Sequence, residues 1–279
     1  MKLAGVVTLY HPDKAVISNI ETYSNDLDFL YVLDNTENSV KEISKWTEKK
    51  PHTRYFWMGG NMGISYALNF ALKQAQGKYE YLLTMDQDSA FDEGMITQYK
   101  KDVEEMEREY PNKIGMYSIN YDRTRIPIQN NYRLQSIAIT SGSIIPVNSS
   151  LAIGGFDENL FIDDVDSEFC YRLRRNGRLI VEFPYILLNH TIGNQTFLNF
   201  FGKRIVVYNH GAIRKYYIIR NRIYVLKKYP EVRLIYLAKL VSTIAKVILA
   251  EDNKLKKMKY ISRGIYDGIK GNMGKFTGF

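Results

Sequence analysis

The segment "TMDQDS" (84–89) sets Asp86 and Asp88 one residue apart, directly after the apolar run "YEYLL". Two ionised carboxylates this close repel each other unless a cation or a strong set of donors neutralises them. One occupant that suits them is a divalent ion such as Mg²⁺ or Mn²⁺, which takes one or two carboxylates together with the phosphate oxygens of a substrate. The competing reading is a solvated turn whose aspartates cap a helix starting near Asp92, and the spacing alone does not separate the two. A second acidic group, "IDDVDSE", holds Asp163, Asp164, Asp166 and Glu168 near the start of a helix. The helix dipole accounts for part of it. Four acids within six residues exceed what a helix start demands, and a carboxylate crowded by others has the raised proton affinity of a general base. His190 closes an apolar strand before "TIGN", where its imidazole could be a third, nitrogen ligand to the same ion. His11, His52 and His210 have no such surroundings and read as structural.

The elements that must position these groups follow from the apolar pattern. "LAGVVTLY" (3–10), "DFLYVLDN" (28–35) and "TRYFWM" read as strands separated by the helical stretches "DKAVISNIETYS" and "SVKEISKWTEK". A helix begun beside Asn61 and closed by Gly77 leads into the strand "YEYLLTM", which delivers the aspartate pair at its C-terminal end. Strands alternating with helices predict an α/β fold with a mixed, mainly parallel sheet, and in open sheets of this kind ligands bind at the carboxyl ends of the strands. "KIGMYSIN", "YRLQSIAITSGSIIPV" and "RLIVEFPYILLNH" supply further strands, with a polar surface loop expected at 121–131 and a helix stopped at Gly177. The pattern divides the chain into a catalytic domain at 1–200 and a helical C-terminal region at 201–279, with helix expected from about residue 197 onward.

A chain of 279 residues with 45% apolar and 24% charged side chains has ordinary globular composition, which excludes wholesale disorder. The single cysteine, Cys170, cannot form an internal disulfide, and the N-terminus lacks a long apolar run with a cleavage site, so a cytosolic, reducing compartment is expected. The net charge of +8 is unevenly spread: residues 1–200 carry 20 basic and 26 acidic side chains, residues 201–279 carry 18 and 4. Nucleic acid, anionic lipid or a phosphate-bearing substrate could each want such a tail. Within it, "PEVRLIYLAKLVSTIAKVILAED" gathers Lys239, Ser242, Thr243 and Lys246 on one narrow helical arc and fills the rest with Leu, Ile, Val and Ala. Its charges interrupt the apolar run well short of the roughly 18 residues a spanning helix needs. Such a helix could lie on a membrane, pack on the domain or pair with another subunit to form a homo-oligomer.

The ordered set "VVTLYHP", "VLDNTEN", "NMGISYALNFALKQAQGKY", "LLTMDQDS", "TSGSIIP", "GGFDENLFIDDVDSEFCYRLRRNG", "NHTIGN" and "RKYYIIRNRIYVLKKY" resembles the inverting family 2 glycosyltransferases of GT-A fold. It looks most like the bacterial rhamnosyltransferases of surface polysaccharide assembly, over about residues 3–230. The resemblance implies that Thr8, Tyr10, Asp34 and Asn61 line the nucleotide. It implies that Asp86 and Asp88 are the D-x-D pair, with Asp88 the stronger metal ligand and Asp86 nearer the ribose and diphosphate. His190 would complete the metal shell. Asp164 matches the usual base, and Asp163 stands where relatives more often have Glu, which leaves open which of the two takes the proton. Arg214, Tyr217, Arg220 and Asn221 match a signature segment just past the catalytic domain, and Arg214 and Arg220 could hold the diphosphate or bind the acidic surface of the domain.

The implied activity is a metal-dependent transfer, with Mn²⁺ or Mg²⁺, of a sugar from a nucleotide donor to a lipid-linked glycan at the inner face of the cell membrane. dTDP-rhamnose is the favoured donor, and a UDP-hexose or galactofuranose donor is the alternative. Two other classes compete. A phosphohydrolase of haloacid dehalogenase type also keeps D-x-D after an apolar strand, though normally the first strand. A single-stranded nucleic-acid binder would use the basic, tyrosine-rich tail, but nothing in that tail matches a recognised module and the acidic cluster would have no role. A nucleotidyltransferase is disfavoured because no Gly-rich phosphate loop follows the first strand.

Overall fold

The computed structural model describes residues 1–121, 132–190, 196–200 and 203–279, with the backbone alone for 190, 196–200 and 203–206. The chain divides into two compact units, one formed by Met1–Asp157 with Asp166–Thr191 and the other by Glu158–Val165 with Ile192–Phe279.

In the first unit β1 (Leu3–Leu9), α1 (Ala15–Glu21), β2 (Phe29–Asp34), α2 (Lys41–Glu48), β3 (Thr53–Trp57), α3 (Ile64–Ala75) and β4 (Tyr81–Asp86) follow the expected alternation. Then come β5 (Ser89–Phe91), α4 (Met95–Glu109), β6 (Ile114–Asn120), β7 (Arg133–Leu134), β8 (Ser143–Pro146), α5 (Val147–Ala152), α6 (Val165–Arg175) and β9 (Leu179–His190). The sheet order is β3-β2-β1-β4-β8-β6-β9-β5, with β7 on β9. β3, β2, β1 and β4 run parallel, β8 is antiparallel to both neighbours, β6 and β9 are parallel, and β5 is antiparallel to β9. Parallel strands covered on both faces read as nearly unbroken apolar runs. β1 (LAGVVTL) and β6 (IGMYSIN) are of that kind and are buried along almost their whole length. Leu3, Val7 and Leu9 of β1 join Tyr99 and Val103 of α4 and Phe183 of β9 in the main core.

The register decides where the chemistry lands. Thr8 sits beside Asp86 across β1 and β4, and Leu9 sits beside Asp34 across β1 and β2. Three parallel strands therefore end together, and each end carries a residue singled out in the sequence.

The second unit opens, after the loop 158–165, with a two-stranded antiparallel ribbon of β10 (Thr196–Phe200) and β11 (Lys203–Val207). This corrects the helix expected from about residue 197. "KRIVV" is β-branched and short, and such a segment pairs as a ribbon more readily than it starts a helix. Helix begins at α7 (Ala212–Lys228) and continues in α8 (Arg233–Ala250) and α9 (Lys254–Lys270). α9 approaches α7 closely through two glycines four residues apart. A Cβ on Gly264 would meet the backbone oxygen of Tyr216 at 2.7 Å, and one on Gly268 would meet Ile223 Cβ at 2.9 Å. Ile219, Val247 and Ile261 form the small core shared by the three helices.

The polar segment 122–131, expected as part of a surface loop, lies outside the described residues. No helix among the described residues is long and apolar enough to cross a membrane.

Candidate active site

At the carboxyl ends of β1, β2 and β4 the backbone is fixed by side chains that face it. Gln87, the residue between the paired aspartates, accepts from the Tyr10 amide at 2.8 Å and donates back to the Tyr10 carbonyl at 3.2 Å, while its own carbonyl accepts from Asn19 Nδ2 at 3.0 Å. This two-way clamp ties the Asp86–Asp88 turn to the end of β1. From behind, the Asp86 amide donates to Ser141 Oγ at 3.1 Å, Ser141 Oγ contacts Ser89 Oγ at 2.8 Å, and the Gly142 amide donates to the Thr84 carbonyl at 2.8 Å. The "TSGS" segment is thus the back wall of the turn. Asp86 is half-buried and Asp88 exposed.

The capping reading of the pair gives way here. The residues after Asp88 form β5, and α4 starts only at Met95, with Gly94 at its N-cap and no side-chain cap. His190 ends β9 as the register partner of Ser89, one residue past Asp88. Its side chain, and with it the expected nitrogen ligand, lies outside the described residues. Among the described residues no three of His, Cys, Asp and Glu gather as a metal site.

Asp34 has a local task. It is fully buried, and its carboxylate accepts from the Thr36 and Val40 amides, both at 2.9 Å, and from the Tyr55 hydroxyl. Those bonds shape the loop after β2. Burial, followed by the hydrogen bond to Asp34, keeps the Tyr55 phenol protonated far above its usual range. The next residue, Asn35, donates to the Gly63 carbonyl at 3.2 Å, and Asn61 Oδ1 accepts from the Gly63 amide at 3.1 Å, so the Asn61 loop is held to the loop after β2. Tyr10 stays 44% exposed. Thr8 Oγ1 is buried and has no hydrogen-bond partner among the described residues. An orphaned hydroxyl beside Asp86 is what a missing polar ligand would leave.

The acidic cluster disperses to separate tasks. Asp166 accepts from Thr140 Oγ1 at 3.0 Å, and fully buried Glu168 takes Arg172 through two bonds of 3.1 and 2.8 Å. In the second unit, Asp163 pairs with Arg214 at 3.1 Å and Asp164 accepts from the Tyr236 hydroxyl at 3.0 Å. Both residues sit in the left-handed region, at φ 65° and 59°. Non-glycine residues there cost about 1–2 kcal/mol each, Asp less than most, and persist where neighbours over-determine them. Asn221 provides that support, donating to the carbonyls of Ile162 at 2.6 Å and Asp163 at 2.9 Å.

Asp164 holds its proton more tightly than an ordinary carboxylate. Burial is the main cause and Asp163 adds to it, while Arg222, Tyr236 and Lys239 pull the other way. The direction matches the expectation for a base, but desolvation leads where crowding by other acids was expected.

Arg220 requires a correction. It is fully buried, donates to Asn221 Oδ1 at 3.1 and 2.9 Å and to the Gly274 carbonyl at 2.6 Å, and lies over the rings of Tyr216 and Tyr217 at 5.3 and 5.0 Å. A guanidinium so engaged holds Asn221, and through it the acidic turn, rather than a diphosphate. Tyr217 stacks on Phe161 at 5.1 Å and its hydroxyl accepts from the Phe276 amide at 2.8 Å, again a supporting role for that loop. Arg214 remains 45% exposed. Sequence reasoning missed Gln87, Ser141 and Asn35; their signal was adjacency to quoted motifs.

A curled, mainly parallel sheet with carboxylates at its strand ends is the architecture of the GT-A glycosyltransferases. Residues 14–153 match the family model described as glycosyl transferase family 2, and the chain belongs to that family. It is 27% identical over 292 residues to the dTDP-rhamnosyl transferase RfbF of Shigella flexneri, across 97% of this chain and 96% of that one. The fold is shared with the mannosyltransferase PcManGT from Pyrobaculum calidifontis in complex with GDP-Man and Mn²⁺, at a TM-score of 0.61, 12% identity and coverage of 96% and 87% of the two chains. It is shared too with S. aureus TarS 1-349 in complex with UDP-GlcNAc, at a TM-score of 0.59, 15% identity and coverage of 97% and 81%. The protein is a glycosyltransferase, and the phosphohydrolase reading gives way.

Proposed function

We propose that the protein transfers rhamnose from dTDP-rhamnose, with inversion, to a lipid-linked glycan used for cell-surface polysaccharide. The observation that carries the reading is the shared end of β1, β2 and β4, where Thr8 stands beside Asp86 and Leu9 beside Asp34, and where Thr8 Oγ1 has no partner among the described residues. The similarity to a dTDP-rhamnosyl transferase along nearly the whole chain supports the choice of donor.

Asp86 and Asp88, with His190 as third ligand, would hold Mn²⁺ or Mg²⁺. Hard carboxylate oxygens fit such an ion, and when bound it supplies positive charge against the leaving diphosphate. The chain's own residues do the rest. Thr8, Tyr10 and Asn61 line the nucleoside, and Asp34 keeps the adjoining loop in shape. Arg214, next to Asp163, adds a donor for the diphosphate. Asp164, whose burial favours a proton at higher pH than usual, takes it from the acceptor hydroxyl. That oxygen then bonds to the anomeric carbon while the bond to the diphosphate breaks, and the electron pair leaves with dTDP. A single displacement inverts the centre.

The testing experiment is a thermal-shift panel of nucleoside diphosphates and nucleotide sugars with and without Mn²⁺. Metal-dependent stabilisation confined to dTDP compounds is expected, growing as RT ln(1 + [L]/Kd). A response to UDP compounds alone would overturn the donor. Asp88→Asn is expected to remove the metal-dependent part.

The membrane part of the proposal rests on α8. Its buried residues are Tyr236 and Val247, Arg222 Nη1 donates to the Lys239 carbonyl at 2.8 Å and to Thr243 Oγ1, and Ser242 stays exposed together with Leu234, Val241 and Leu249 at 81, 68 and 58% exposure. Lys254 and Lys256 flank Leu255, itself 90% exposed, at the start of α9. Apolar side chains beside exposed lysines suit the inner, anionic face of a cell membrane. Co-sedimentation with phosphatidylglycerol vesicles is expected, with loss of binding in the Leu234→Ser/Val241→Ser/Leu249→Ser variant. Absence of binding together with a dimer in light scattering would make this face a subunit contact.

A further inference from the structure

Within the second unit, residues 272–276 fold back on the loop that carries Asp163 and Asp164. Buried Asp267, near the close of α9, accepts from the Tyr216 hydroxyl at 2.9 Å, from Arg263 Nε at 2.8 Å and from Asn272 Nδ2 at 2.9 Å. Gly271, at φ 83°, stops the helix, its amide donating to the Asp267 carbonyl at 2.8 Å. Past this turn Gly274 holds the acidic loop through both of its polar groups. Its amide donates to the Asn159 carbonyl at 3.0 Å, and its carbonyl accepts from Arg220 Nη1 at 2.6 Å. Arg220 Nη2 reaches the same Asn159 carbonyl at 3.4 Å. Phe276 adds an apolar contact: its amide donates to the Tyr217 hydroxyl at 2.8 Å, its ring lies 4.5 Å from that of Tyr216, and it packs on the small cluster that includes Phe161.

The loop 158–165 needs such a hold. Asp163 and Asp164 both occupy the left-handed region, which non-glycine residues keep only where neighbours over-determine it. Asn221 fixes the loop at the Ile162 and Asp163 carbonyls, and Gly274 fixes it at Asn159. The two holds are linked, because Arg220 bonds to both Asn221 Oδ1 and the Gly274 carbonyl.

We infer that the segment 272–276 is a latch on the loop 158–165, and that Gly274 and Phe276 are positioning residues for Asp164. The inference rests on the reading of Asp164 as the base, and it adds what keeps that base in place. Both residues act through Asn159, Arg220, Asn221 and the ring cluster rather than on substrate. Gly274 offers a clean test. At φ 82° it stands where L side chains are strained, yet a Cβ there meets no atom within 4 Å, so substitution costs conformation and not space. Valine and asparagine are similar in size, but asparagine tolerates the left-handed region and a β-branched side chain does not.

Limited chymotrypsin digestion of the full chain, read by mass spectrometry, tests the latch. Leu160 and Phe161 are buried, so cleavage after them reports release of the loop, and cleavage after Tyr236, buried on α8, reports opening of the helices. In Gly274→Val, cleavage after Leu160 and Phe161 is expected to run about tenfold faster or more, with cleavage after Tyr236 unchanged and with Gly274→Asn close to the parent chain. Phe276→Ala, which keeps the backbone and removes the ring, is expected to act in the same direction. Hydrolysis of dTDP-rhamnose, with water in place of the acceptor, is expected to slow about a hundredfold in Gly274→Val at unchanged KM, because a displaced base no longer meets the nucleophile. Unchanged cleavage after Leu160 and Phe161 would overturn the latch. So would equal effects of valine and asparagine, or an equal rise in cleavage after Tyr236, either of which would reduce the segment to general packing of the helices. Faster cleavage of the loop with unaltered hydrolysis would remove the positioning role. The digestion needs no donor, so unchanged turnover in Asp164→Asn would defeat the base reading and leave the latch standing, and the two fail separately.

Discussion

Asp164→Asn is expected to lower kcat by about a hundred- to ten-thousand-fold, the usual worth of a positioned general base, while the dTDP-induced thermal shift persists. The amide keeps the shape of the side chain and can accept from the Tyr236 hydroxyl, so the turn at Ile162–Asp163 held by Asn221 should survive. What it cannot do is take a proton. Unchanged turnover would remove Asp164 from the reaction, and Asp163→Asn would then be the variant to examine. The pH profile adds a readout that a structural role would not move. Because burial raises the proton affinity of Asp164, the acid limb of kcat should lie above the usual carboxylate range near about 4. The groups facing it are Asp163 on its own loop, Arg222 on α7, and Tyr236 and Lys239 on α8. Tyr236 donates to the ionised form, so Tyr236→Phe should move the limb to still higher pH.

The sequence made the strand ends legible and left the second unit largely hidden. Apolar runs and the glycine after α3 locate β1 to β4, and with them Asp86 and Asp88, because parallel strands buried on both faces leave a strong local signal. Partners distant in the chain leave none. Nothing in "DQD" shows that Gln87 would clamp Tyr10, 77 positions away. Nothing in "RKYYIIRNR" shows that Arg220 would be buried, since an arginine enters an interior only where acceptors converge, here the adjacent Asn221 with the carbonyls of Gly274 and Asn159 from distant parts of the chain. The same holds for charge. The tail's excess of cations reads as a surface property, yet Lys215, Arg220 and Lys257 are all under 5% exposed. On α8 the period showed two faces but not which one turns inward. The face of Tyr236, Thr243 and Val247 does so, Asp164 and Arg222 giving its two hydroxyls partners, while Ser242 of the polar arc stays exposed.

The largest loss of stability is expected at Glu251. Its carboxylate, 2% exposed, is shared by the ammonium groups of Lys215 and Lys257, themselves 4 and 3% exposed, and it joins α7 to the start of α9. Glu251→Gln keeps the volume and removes the charge, leaving two buried cations with an amide between them. Breaking a buried ion pair in this way typically costs about 3–5 kcal/mol, whereas replacing all its members by apolar residues costs far less. Thermal melts of the full chain should therefore show a large drop for Glu251→Gln and a much smaller one for Lys215→Met/Glu251→Leu/Lys257→Met. The deficit should also depend on pH with a definite sign. Burial already lowers the pKa of Lys215, and Glu251 is the chief group opposing that shift. Without the carboxylate the folded state binds its proton still less well than the unfolded chain, so the stability of the variant rises with pH as the buried ammonium is shed. A deficit equally large at pH 7 and pH 9.5 would point to lost packing and would remove the buried charge as its cause.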